Sequence, residues 1–152
     1  MECYGESKMI KTFRGLIADG GQDTVVLHTN DGSTGYKVVK FQIMPTTPMD
    51  TEIQAVVKIF KIQQDTVTDD VDYSDNTLLG AAIVRQTSNL LYEQTVMFDQ
   101  EVFNQDIYIT YEDNIASGKA MNYYLELEQV KLDLNANTVA TLKNLKNLEP
   151  GG

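Results

Sequence analysis

Asp65, Asp69, Asp70, Asp72 and Asp75 crowd one short stretch of this chain, and carboxylates gathered on a loop are calcium chemistry. An EF-hand loop counted from Asp70 would need glycine at its sixth position and glutamate at its twelfth. The chain has Asp75 and Ala81 there, so a solvated acidic loop is expected and no metal ligand is assigned. His28 is the single histidine. On a strand it shares a face with Thr24 and Val26, opposite Val25 and Leu27. Without a conspicuous serine, cysteine or base beside it, it makes no triad and is expected to be structural or superficial. A polar partner beside it in a pocket would reopen the enzyme question. Cys3 is the only cysteine, and with no cation before Lys8 to stabilise a thiolate it is a poor nucleophile.

Two further constellations resolve the same way. Residues 32–37 (GSTGYK) carry the glycines and lysine of a phosphate loop without its spacing, and no long helix follows. Glu126 and Glu128 would stand about 7 Å apart on one strand face, a separation found in inverting glycosidases. Any strand reading x-E-x-E gives that distance, and the chain has no tryptophan to platform a sugar. No catalytic residue or cofactor is assigned, and the chain reads as a non-enzyme. The eight tyrosines are the more informative feature. Tyr108, Tyr111, Tyr123 and Tyr124 fall on two candidate neighbouring strands, and tyrosine suits an interface because it buries area while keeping a polar tip. A core role for about half of them weighs equally.

The elements that must position these residues are strands. Residues 121–132 (MNYYLELEQVKL) organise the rest. Met121, Tyr123, Leu125 and Leu127 alternate against Asn122, Tyr124, Glu126 and Glu128, the period of a strand with one buried face. The apolar set then changes parity to Val130, Leu132 and Leu134, which predicts a β-bulge or bend near residues 128–130.

In chain order, residues 9–17 read as a strand, residues 18–22 as a glycine turn, and residues 24–29 as a β-branched run. Asn30-Asp-Gly32 is a hairpin signal. Residues 36–44 alternate, with Val39, Phe41 and Ile43 on one face. Residues 45–50 form a proline loop. Residues 53–63 are apolar on both faces and belong centrally in a sheet, with Lys58 and Lys61 towards its ends or rim. Residues 64–78 form a polar loop and residues 87–91 another, and residues 79–86, 93–98 and 105–111 are strands. Gly80, Ala81 and Ala82 imply tight packing. Residues 113–119 turn into the opening element, and residues 138–145 repeat at helical spacing after a cap at 135–137.

About eight strands and one short C-terminal helix predict a mainly β fold, an antiparallel β-sandwich or jelly roll. A single domain over residues 9–149 is expected, with an N-terminal arm at 1–8 that could order on assembly and a flexible end at 150–152. The 152 residues suffice to bury roughly two thirds of the unfolded chain's surface. A formal charge of −10 opposes binding to nucleic acid or to anionic lipid and favours a basic partner. No apolar run approaches the roughly 20 residues of a membrane helix. The N-terminus lacks a signal-peptide core, and a lone cysteine excludes an internal disulfide.

Several blocks carry a resemblance. Residues 11–23 (KTFRGLIADGGQD), 35–44 (GYKVVKFQIM), 74–79 (SDNTLL), 101–108 (EVFNQDIY), 122–130 (NYYLELEQV) and 138–143 (TVATLK) together resemble small virion structural proteins of tailed phages of marine bacteria. The resemblance implies a β-sandwich subunit of a capsid or tail, assembled in the host cytoplasm, and brings no catalytic residue. Size, acidity and β content favour a decoration (cement) protein on the capsid exterior. Its expected partners are the major capsid protein and further copies of itself, a homotrimer first. A tail, adaptor or fibre-associated subunit is the rival, and a host-recognition or carbohydrate-binding module is less favoured.

Overall fold

The computed structural model describes residues 9–49, 52–87 and 90–132. It contains eight strands: β1 (Ile10–Ile17), β2 (Gln22–Val25), β3 (Thr34–Pro45), β4 (Ile53–Phe60), β5 (Leu78–Thr87), β6 (Leu90–Met97), β7 (Ile107–Asp113) and β8 (Met121–Lys131). They form two antiparallel sheets, β1-β8-β3 and β2-β7-β4-β5-β6. This is the expected antiparallel β-sandwich, all-β among the described residues. Its strand order is that of a jelly roll with one displacement: β6, which would complete the smaller sheet beside β3, stays on its hairpin partner β5. The predicted helix at 138–145, the 1–8 arm and the 150–152 end lie outside the described residues.

One core lies between the sheets. Met121, Tyr123, Leu125 and Leu127 face inwards from β8 and meet Val57, Ile59, Ile107, Ile109 and Tyr111 of the larger sheet in a single buried cluster. Residues 53–60 were apolar on both faces because β4 is central, paired with β7 on one side and β5 on the other. Its core face carries Ile53, Ala55, Val57 and Ile59, and its other face carries Lys58 and Phe60 beneath residues 61–77. Lys61 lies just past the end of β4, as expected, but Lys58 lies within the strand, and both are buried rather than at a rim. The long aliphatic stem of each packs while its ammonium finds oxygen partners.

Two local expectations change. The bulge lies not at residues 128–130 of β8 but across the ladder in β3, where the register steps between Val38 and Lys40. Val39 is the extra residue. Tyr36 and Val38 face the core before it, and Phe41 after it, so the parity change belongs to β3 while β8 runs unbroken against β1 to Glu128. Asn30-Asp-Gly32 forms a turn, with Gly32 at φ 65° and the Asp31 carboxylate accepting from the Ser33 amide and hydroxyl. The turn closes no hairpin, because β2 and β3 belong to different sheets. The short-range chemistry is as read, and the long-range pairing of β2 with β7 overrides it.

Candidate functional site

His28 follows β2 on the crossover to the smaller sheet, and its exposed face is the one expected. The structure adds a partner that sequence reasoning missed: Asp106, just before β7, lies with Oδ1 2.7 Å from His28 Nδ1. The same oxygen accepts the backbone amides of Leu27, at 2.8 Å, and His28, at 3.0 Å. Burial works to raise the Asp106 carboxyl, and the hydrogen bonds from His28 and Leu27 outweigh it, holding the group below its ordinary range. One carboxylate thus ties the end of β2 to the start of β7. The adjoining hollow is lined by Lys11, Thr12, Phe13, Tyr36 and residues 26–29. A polar partner beside His28 is therefore present. Three donors converging on Asp106, two of them backbone amides, make it a clamp on a crossover.

The four tyrosines divide. Tyr111 is fully buried and its hydroxyl donates to the Lys119 carbonyl at 2.8 Å. Tyr123 is 6% exposed, and its hydroxyl donates to the Asp23 carboxylate, joining the two sheets. Burial raises both phenols, helped by Asp113 and Asp19 around Tyr111 and by the Asp23 bond at Tyr123. These two belong to the chain's own core and are withdrawn from the expected interface. Tyr108 and Tyr124 are half-buried on outer faces. Tyr124 donates to Glu126 at 2.7 Å and lies 5.8 Å from the Lys40 ammonium.

The acidic loop is a cover for the larger sheet. Lys58 Nζ donates to the Asp70 carbonyl at 2.6 Å and to Thr68 Oγ1 at 3.2 Å, and lies 5.3 Å from the Phe60 ring centre. Desolvation lowers the Lys58 ammonium despite the opposing pull of Asp70, Asp69 and Asp75. Asp72 and Asp75 close two Ser and Thr turns, and Tyr73 stacks edge-on against Phe98 at 5.4 Å. Among the described residues no three His, Cys, Asp or Glu side chains are grouped to hold a metal.

What remains open is the β6 side of the sandwich. Because β6 stays with β5, a groove of about 890 Å³ opens between it and the smaller sheet, with Arg14, Gln42, Tyr124, Glu93 and Thr95 on its walls. Among the described residues β6 pairs with β5 alone. Leu90 and Leu91 are each 60% exposed and Tyr92 47%. Comparison with known proteins gives no matching family model and no matching curated protein.

Proposed function

We propose that this chain is a structural subunit of a phage particle, acting as a decoration protein that bridges subunits of the major capsid shell from outside. The observation that carries the reading is the β6 edge, which pairs with β5 alone among the described residues and exposes Leu90, Leu91 and Tyr92. A free strand edge presents backbone donors and acceptors to another chain. The resemblance of residues 11–23, 35–44 and 122–130 to virion proteins supplies the setting. The charge of −10 suits a surface turned away from packaged DNA. The mechanism is mechanical and non-catalytic: modest contacts repeated over many copies add through multivalency. Tyr108 and Tyr124, half-exposed on outer faces, remain its candidate anchors.

Quantitative mass spectrometry of purified particles tests the reading, with the major capsid protein as the internal standard. Hundreds of copies per particle are expected. About six to twelve copies would move the chain to the tail or its connector, the symmetry such rings close with. Absence from particles would refute a virion role.

A further inference from the structure

We propose that β6 is a self-association edge: two copies join their five-stranded sheets by antiparallel pairing of β6 with β6 about a two-fold axis at Gln94. The reading of the chain as an assembly subunit supplies the setting, whereas the pairing is a property of the isolated protein.

The edges of the two sheets are unequal. Natural edge strands are guarded by proline, lysine, bulges or shortness. β3 has Pro45, Lys37, Lys40 and the bulge at Val39. β1 has Lys11 and Arg14, and β2 is four residues long. β6 (LLYEQTVM) has no proline, no lysine or arginine and an unbroken register against β5, and its single charge is Glu93. Among the described strands it is the least guarded edge, with Glu93 as its single protection.

The strand is also self-complementary in one register. Residues opposed across an antiparallel ladder point to the same face, so a two-fold axis must pass through a residue position. Centred on Gln94, the axis sets Glu93 against Thr95, Tyr92 against Val96 and Leu91 against Met97 of the second copy. Apolar residues meet apolar ones on both faces, and no carboxylate meets another. Centred on Glu93, two carboxylates would face each other, which is unfavourable. Centred on Tyr92, Leu91 would face Glu93. The pairing closes at two copies. A three-fold ring would need β6 to meet a different edge of the next copy, and those edges are guarded or short. The two-fold contact therefore replaces the trimer as the expected unit of self-association. An edge pairing of this length belongs with small interfaces, under about 1,200 Å², so it is weak in dilute solution. The charge of −10 on each copy opposes it, and salt should tighten it.

The test uses the full chain with Cys3→Ser, adding Gln94→Cys or Glu93→Cys. At the axis the paired Cα atoms lie about 4.5–5.5 Å apart, within disulfide reach. Under mild oxidation Gln94→Cys should give a covalent dimer at least tenfold faster than Glu93→Cys. In sedimentation equilibrium the unmodified chain should dimerise reversibly, more tightly at about 0.5 M than at about 0.05 M salt as screening grows. Gln94→Glu, which keeps an acceptor for the Tyr92 hydroxyl 2.6 Å away, should weaken the dimer several-fold at low salt without changing the melting temperature. A monomer at every concentration, or equal cross-linking at positions 93 and 94, overturns the proposal. A dimer cross-linked at position 94 in a chain absent from particles would sink the virion role and leave the edge pairing standing. Abundant particle copies of a strictly monomeric chain would do the reverse.

Discussion

Gly15→Ala should destabilise the fold through Tyr123. The two residues are cross-strand partners in β1 and β8, and a Cβ built on Gly15 would stand 2.7 Å from Tyr123 Cε2 and Oη and 2.8 Å from Cζ. Those distances are closer than van der Waals contact, so the ring must move. Its escape is the groove that Gly15 and Tyr123 both line, so the backbone need not give way. The cost is the lost tie between the Tyr123 hydroxyl and Asp23. A hydrogen bond to a charged group contributes about 1.5–3 kcal/mol, discounted here because Asp23 is half-exposed and can be rehydrated. Restricting the unfolded chain by the added methyl returns about 0.5–1 kcal/mol. Exposure of part of the ring adds to the loss, and a net cost of about 2 kcal/mol results. For a domain of this size that is roughly 4–8 °C in melting temperature. Urea unfolding of Gly15→Ala, Tyr123→Phe and the double variant measures it. If the ring has already left Asp23 in Gly15→Ala, Tyr123→Phe costs little more in that background, and the cycle is non-additive by about 1 kcal/mol or more. Gly15→Ala within about 0.5 kcal/mol of the parent, or full additivity, would refute the reasoning.

Alkali should unfold the protein through its core tyrosines. Tyr111 and Tyr123 have folded-state pKa values raised above the usual value of 10.0. The stability they contribute is therefore complete below about pH 10 and is lost as pH rises towards their folded values. Lys58, lowered from 10.5, works oppositely: its folded form binds fewer protons, and its penalty is relieved as pH rises. Denaturant midpoints from pH 8 to 11 should fall, more steeply in Lys58→Met, with phenolate absorbance appearing only as the chain unfolds; a flat midpoint would count against buried phenols. Lys58→Met should also separate cover from core. Replacing a buried ion by an apolar side chain of similar volume is often neutral or stabilising. Residues 61–77 nonetheless lose the bonds to Thr68 and Asp70. Limited proteolysis should cut that segment severalfold faster while the global midpoint holds or rises. Unchanged cleavage would show that Asp75, Tyr73 and their contacts hold the cover without the lysine.

The strands were legible where one side chain in two is apolar and a single face is buried. β8 declares itself at Met121, Tyr123, Leu125 and Leu127, and β4 declares its central place by being apolar on both faces. Legibility failed where a side chain's fate depends on chain far away. Lys58 and Lys61 read as rim residues because their burial is imposed by residues 61–77 folding back and by Glu101 meeting Lys61 at 3.0 Å. The pairing of Asp106 with His28 spans 78 positions, and no local pattern announces it. Tyr111 and Tyr123 could not be told from Tyr108 and Tyr124 by type. Parity could have done so, because 111 and 123 fall in step with Ile107 and Ile109 and with Leu125 and Leu127.

The displaced β6 links the fold to the proposed assembly. In LLYEQTVM the apolar residues Leu91 and Met97 alternate with Tyr92 and Val96; Met97 packs against the core, whereas residues 90–95 are exposed. Such a strand would ordinarily sit beside β3 and complete the smaller sheet. It cannot do both that and remain the outer strand of the long β5–β6 hairpin, where eight consecutive pairs run without a bulge from Gly80–Met97 to Thr87–Leu90. The local hairpin prevails because its two-residue connection costs far less closure entropy than a pairing across the sandwich. The consequence is an apolar edge that pairs with no further strand among the described residues. Gln94→Glu therefore changes almost nothing that one copy contains and should weaken what two copies make. That contrast separates an edge kept for assembly from one merely tolerated at the margin of the sandwich.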